Sequence, residues 1–177
     1  MSLALPARHG PMVWDHGSLP DDTGVIHLDA TCRDELLGVA EQLTAHPLPT
    51  VALDVRDHTL GACAEAMRAA RHELDHGVGF AIIDRVPVDD VSRDTAVALY
   101  WLLMNLAGRP VAQKWDGTLI YDVHDTGKTP APGNGVRSSK SNQGQGYHTD
   151  NAFNTPPEHV ALFCLRTAME GGLSGLI

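Results

Sequence analysis

His148-Thr149-Asp150, set in the run Gln145-Gly146-Tyr147-His148-Thr149-Asp150-Asn151-Ala152-Phe153, places two metal-capable side chains two residues apart. In an extended chain successive side chains alternate between faces, so His148 and Asp150 are expected to share one. A neutral imidazole and a carboxylate converging on one point are two of the three ligands of a 2-His-1-carboxylate facial triad. That triad holds non-heme Fe(II) and leaves three positions open. The chemistry this pattern predicts is iron-dependent activation of oxygen. By itself H-x-D is a weak signal in a chain with 10 His and 22 Asp+Glu, where it arises by chance or as a solvated polar pair. Its setting has to decide.

The setting is ordered. Asn154-Thr155-Pro156-Pro157-Glu158-His159 is a turn-forming break, Val160-Ala161-Leu162-Phe163-Cys164-Leu165 reads as a buried strand, and Arg166-Thr167-Ala168-Met169-Glu170-Gly171-Gly172-Leu173-Ser174 follows. The whole run from His148 to Ser174 resembles the taurine/2-oxoglutarate dioxygenase (TauD/TfdA-like) family: H-T-D, a P-P loop, an apolar strand, then G-G-x-[ST]. Upstream, Gly79-Phe80-Ala81-Ile82-Ile83 as an early strand, a helix, and Leu106-Ala107-Gly108-Arg109-Pro110 are also similar. The likeness runs from roughly residue 60 onward.

The resemblance implies that His148 and Asp150 are the first two iron ligands and that the Ser174 hydroxyl contacts 2-oxoglutarate. The fold it implies is a double-stranded β-helix (a cupin-like jelly roll) with helices 61–76 and 92–107 packed on the sheet, of class α+β. Its cofactors would be Fe(II) and 2-oxoglutarate, with O2 as co-substrate. The reaction it implies couples decarboxylation of 2-oxoglutarate to succinate with hydroxylation of an unactivated C–H. The substrate would be small and polar, such as an amino acid or a natural-product intermediate. Desaturation or ring formation would need a different substrate placement, not different ligands. Retention of Asp150 disfavours halogenation, since related halogenases replace that carboxylate.

One departure accompanies the match. The family draws its second histidine ligand and the arginine that pairs with 2-oxoglutarate from strands downstream of G-G-x-[ST], whereas only Gly175-Leu176-Ile177 follow Ser174 here. His159 lies too near the proline turn, and Arg166 precedes the Gly pair. Three explanations are open: the native polypeptide continues, a second polypeptide supplies the strands, or the chain is a non-catalytic structural or partner-binding half. An unprotected apolar edge at Gly175-Leu176-Ile177 favours the first. The expected organisation is an N-terminal arm, 1–23, and the N-terminal part of a single dioxygenase domain, 24–177, truncated before the second half of the β-helix.

Composition fits a globular protein: 177 residues, 43% hydrophobic and 20% charged. A net charge of −9, from 13 Lys+Arg against 22 Asp+Glu, argues against a phosphate-backbone partner, which requires a basic patch. Cys32, Cys63 and Cys164 are widely spaced with no C-x-x-C, so neither a disulfide framework nor a thiolate zinc site is indicated. The N-terminus lacks a signal-peptide pattern and no apolar run is long enough to span a bilayer. A cytoplasmic location, a small-molecule substrate, and either a homo-oligomer or a second chain completing the site are the matching expectations.

Six elements and a long loop should position the site. Val25-Ile26-His27-Leu28 reads as a strand, Thr31 as a cap for a helix over 32–45 ended by Pro47 and Pro49, and Val51-Ala52-Leu53-Asp54-Val55 as extended. Residues 61–76 read as a helix and Phe80 to Ile83 as a strand. Asp90 or Ser92 would cap a helix that Gly108 and Pro110 terminate. Gly127 to Gly146 reads as a long surface loop leading into the ligand pair, and loops of that length tend to border binding sites. Asn142, Gln145, Tyr147 and Asn151 are the nearest polar side chains for orienting a substrate.

A competing motif is His72-Glu73-Leu74-Asp75-His76, a literal H-E-x-x-H of the kind in which two His share a helix face with a general-base Glu in zinc peptidases. At about 100° per residue, Leu60, Cys63, Met67, Ala70 and Leu74 form one apolar stripe and the two His fall near the opposite pole. They should therefore face solvent, and Asp75 inside the motif and Gly77 directly after it also weigh against a protease. His124-Asp125 before Gly127 reads as a turn rather than a ligand pair.

Overall fold

Polar side chains at the helix starts, and apolar residues at helical spacing behind them, organise the first half of the chain. In the computed structural model, which describes residues 9–15, 17–131, 133–136, 140–150, 156–172 and 175, the chain divides into two units, Met1–Pro110 and Val111–Ile177. Asp29 opens α1 (Ala30–Ala45), its carboxylate accepting from the Cys32 N–H at 2.8 Å. The cap is thus two residues earlier than Thr31, because a carboxylate serves the first-turn donors and the positive helix end better than a hydroxyl. Ser92 caps α3 (Arg93–Ala107) by accepting from the Thr95 N–H, and Gly108 closes it by donating to the Met104 carbonyl. Both ends match the reading of the sequence.

The second helix, α2 (Gly61–His76), has the expected limits but an unexpected cap. Leu60 occupies its N-cap position and supplies no side-chain bond. Instead Glu35 reaches across from α1, and its two carboxylate oxygens accept the Ala62 and Cys63 N–H groups, both at 3.0 Å. Desolvation pushes the Glu35 carboxyl upward, but these backbone donors outweigh it and hold the group below its ordinary value of 4.5. The folded state therefore favours the carboxylate, so its contribution is fully present above pH ~4.5 and fades as pH falls through the lowered folded value. Glu35→Gln keeps the shape and removes the charge; the expected loss is about 0.5–2 kcal/mol at pH 7, shrinking below pH ~4. Urea unfolding at pH 7 and pH 3.5 checks this, and an equal loss at both would count against the charged cap.

The three helices enclose the core. Leu36 of α1, Met67 of α2, and Leu99, Leu102 and Leu103 of α3 are fully buried, with Cys32 and Cys63 filling the gap where α1 meets α2. Burial at Cys32, Leu36, Val39, Ala40 and Leu43 follows the i, i+4, i+7 rhythm of an amphipathic helix, as it does at Cys63, Met67 and Ala70. Trp101 is buried with its indole N–H donating to the Leu53 carbonyl at 3.3 Å, which fastens the 50–57 segment to α3. That segment was expected to be extended and is two single 3₁₀ turns, Thr50–Ala52 and Val55–Asp57. Pro49 precedes the first, and the Asp54 carboxylate accepts the Arg56 N–H in the second, a local bond that competes with extended pairing.

β1 (Val25–His27) and β2 (Ile82–Asp84) pair in parallel, with Val25 opposite Ile82 and His27 opposite Asp84. Gly24 has to turn before β1 at φ +72°, and a Cβ there would lie 2.8 Å from the Phe80 ring, so the site requires glycine twice over. Ahead of it the expected arm is tied down: the Trp14 indole donates to the Val78 carbonyl at 2.8 Å and meets the Phe80 ring edge-on at 5.4 Å.

From Val111 on, the described residues contain no α-helix and no β-strand. Two expectations are corrected here. Val160–Leu165 is not a buried strand: it has no ladder, and Val160 and Leu162 are 57% and 81% exposed. His148-Thr149-Asp150 is likewise irregular rather than a strand. An apolar run signals a strand only if other strands accept its backbone groups, and among the described residues none do. The observed class is α+β, three helices with one two-stranded sheet, and a jelly roll is not seen in the described residues.

Candidate metal centre

Without a sheet, the His148–Asp150 arrangement rests on local bonds. His148 Nδ1 lies 2.9 Å from the Gly146 carbonyl oxygen. A carbonyl only accepts, so this bond places the proton on Nδ1 and leaves Nε2 as the ring's outward donor atom. Nε2 faces Asp150 Oδ1 at 3.4 Å, longer than a normal N–H···O hydrogen bond. Two donor atoms each ~2.1 Å from one ion, at an angle of roughly 90–110°, are about 3.0–3.4 Å apart. The pair therefore has the spacing of two ligands beside a shared cation, on groups about half exposed: 47% for His148 and 53% for Asp150. The alternative, an imidazolium paired with the carboxylate, fits the same distance and would be worth little at such exposure.

The Gly146 carbonyl is a participant that reading side-chain types could not find. A carbonyl on Nδ1 fixes the tautomer and orientation of the His148 ring, as outer partners do for histidines that bind metals. The only signal was the glycine itself, two residues before His148. A second close approach involves Gly175, where a Cβ would lie 2.7 Å from the hydroxyl of Tyr147, the neighbour of His148.

The remaining expected site residues divide into two groups. Asn142, Gln145 and Tyr147 are exposed on the stretch leading to His148, with Tyr147 at 69%. Asn151 and Ser174 lie outside the described residues, so their expected roles rest on sequence. The preceding loop is exposed along most of its described length and is closed at its base, where the Thr126 N–H and hydroxyl both donate to the Lys140 carbonyl at 3.0 and 2.8 Å. Among the described residues no group of three His, Cys, Asp or Glu converges, and His148 with Asp150 offers two of the three side chains that a facial triad needs.

Residues 41–177 match the family model described as "Taurine catabolism dioxygenase TauD, TfdA family". The chain belongs to this family. No curated protein matches it. Membership in the TauD/TfdA family accounts for the H-T-D and G-G-x-S elements together and makes the chain part of a dioxygenase superfamily. In line with this, no helix of the described residues is long and apolar enough to cross a membrane.

The H-E-x-x-H motif lies on the exposed face of α2. His72 and His76 are exposed on α2 as expected, Asp75 is held by Arg71, and no third ligand joins them among the described residues.

Proposed function

We propose that this chain carries the first two protein ligands of an Fe(II)- and 2-oxoglutarate-dependent oxygenase that hydroxylates an unactivated C–H of a small polar substrate. The observation that carries the reading is the His148 Nε2 to Asp150 Oδ1 spacing of 3.4 Å with Nδ1 engaged by Gly146, in a chain of the TauD/TfdA family. His148 would hold the metal through Nε2, and Asp150 would add a carboxylate whose charge offsets that of the cation. When bound, the iron and 2-oxoglutarate would activate O2, the oxidant of the reaction, with 2-oxoglutarate oxidised to succinate and CO2. Ser174 would donate to 2-oxoglutarate, and Asn142, Gln145, Tyr147 and Asn151 would orient the substrate.

The second histidine and the carboxylate-binding arginine would come from outside these 177 residues, either from further sequence or from a second polypeptide. The complete domain would then be a double-stranded β-helix, in which Val160–Leu165 finds its ladder partners. The test is succinate formation from 2-oxoglutarate by the complete polypeptide under air with Fe(II). Turnover that requires Fe(II) and disappears in Asp150→Ala is the expected result; succinate formation unaffected by that substitution would reject the assignment.

A further inference from the structure

Tyr147 stands directly before the first proposed iron ligand and reaches a residue far along the same unit. We propose that Tyr147 is a positioning residue: its ring seats the segment that follows Gly171-Gly172, and through Gly175 it sets how tightly the site binds 2-oxoglutarate. This role rests on the iron reading above and deepens it. A Cβ built on Gly175 would lie 2.7 Å from the Tyr147 hydroxyl oxygen, 3.2 Å from Cε1 and 3.3 Å from Cζ. The backbone at 175 therefore lies against the end of the ring, with no room for a side chain. Gly175 is not among the glycines with left-handed backbone, so space and not conformation calls for glycine there. Gly171 and Gly172 are the opposite case: at φ +74° and +75° they hold backbone that L side chains rarely adopt.

The contact joins two stretches of chain that the iron reading needs at once. Gly175 directly follows Ser174, the residue proposed to donate to 2-oxoglutarate, and Tyr147 directly precedes His148. Whatever fixes residues 147 and 175 relative to each other limits the positions open to their sequence neighbours, since consecutive Cα atoms are held about 3.8 Å apart. The bond between His148 Nδ1 and the Gly146 carbonyl spans residue 147 and restrains the backbone from which the ring projects. A phenol ring also has only two side-chain torsions, so it loses little freedom in seating a neighbour. At 69% exposure the ring is not part of a core, so its truncation should remove the contact and leave the fold and both proposed iron ligands in place.

The test compares the complete polypeptide with Tyr147→Ala, Gly175→Ala and the double variant Gly175→Ala, Tyr147→Phe, with far-UV circular dichroism to confirm the fold of each. Affinity for Fe(II), and then for 2-oxoglutarate from the visible band of the chelate, is measured anaerobically and without substrate, so that a role of Tyr147 confined to the substrate would leave both unchanged. Fe(II) affinity should stay within about twofold of the parent, while 2-oxoglutarate binding weakens about tenfold in each single variant. Tyr147→Phe removes the atom nearest the new alanine Cβ, so most of that loss should be recovered in the double variant. In the metal-free parent, a nuclear Overhauser contact between the Tyr147 ring and the Gly175 α-protons should be present. Parental 2-oxoglutarate affinity in either single variant, no recovery in the double variant, or no ring contact would overturn this role and leave the iron assignment standing. A parent that forms no chelate band would overturn both.

Discussion

Replacing Asp150 with alanine is expected to weaken Fe(II) binding by at least about 100-fold, a loss of roughly 2.8 kcal/mol or more. In the proposed site the carboxylate is the one charged protein ligand, and its removal leaves neutral imidazoles that cannot offset the charge of a divalent ion. His148→Ala should do the same. The two effects should not add, because once one donor has gone the other has little left to lose. Asp150 is half exposed, so the variant should unfold at the same urea concentration as the parent. Iron binding measured anaerobically for both single variants and the double variant checks this. A tenfold loss or less in Asp150→Ala would assign the pair to an ordinary surface contact.

The second large effect is on stability. Leu102 sits at the centre of α3 with no exposed surface, facing the packed sides of α1 and α2. Truncation to alanine removes three buried carbons and leaves a cavity that neighbours on three helices fill only in part. The expected cost is about 2–5 kcal/mol, a large share of the roughly 5–15 kcal/mol by which a domain is stable. Urea unfolding should show a lower midpoint at an unchanged slope. A loss under about 1 kcal/mol would mean that the interior face of α3 has been misassigned.

The helical half was legible because two signals agreed there. Residues 61–76 carry an apolar stripe at helical spacing and end at a glycine, and Ser92 stands directly before the next such stripe; both helices lie where that pattern placed them. The helix N-termini were harder, since the best acceptor need not be adjacent in sequence: Glu35 caps a helix that begins 26 residues later. Residues 50–57 misled because Val and Leu favour strands, while the Asp54 bond to Arg56 that decides the local turn leaves no mark on hydrophobic pattern.

In the second half the apolar run reads as a strand, and none is assigned there. A strand is a relation between segments, and Val160–Leu165 has no segment to pair with among the described residues. Residue type and spacing singled out His148 and Asp150, which do approach each other, yet the argument that two side chains two apart share a strand face does not hold for the irregular backbone at 148–150. The Gly146 carbonyl holds Nδ1 of His148 while Nε2 faces Asp150. Backbone acceptors of this kind are invisible to a reading based on side chains.

The most direct test of the iron assignment is an anaerobic titration of the complete polypeptide with Fe(II) and 2-oxoglutarate, following the visible charge-transfer band of the iron–2-oxoglutarate chelate. The account predicts a band that saturates at one equivalent of iron and is absent from the His148→Ala, Asp150→Ala double variant. A band of equal strength in that variant, or none in the parent protein, would contradict it.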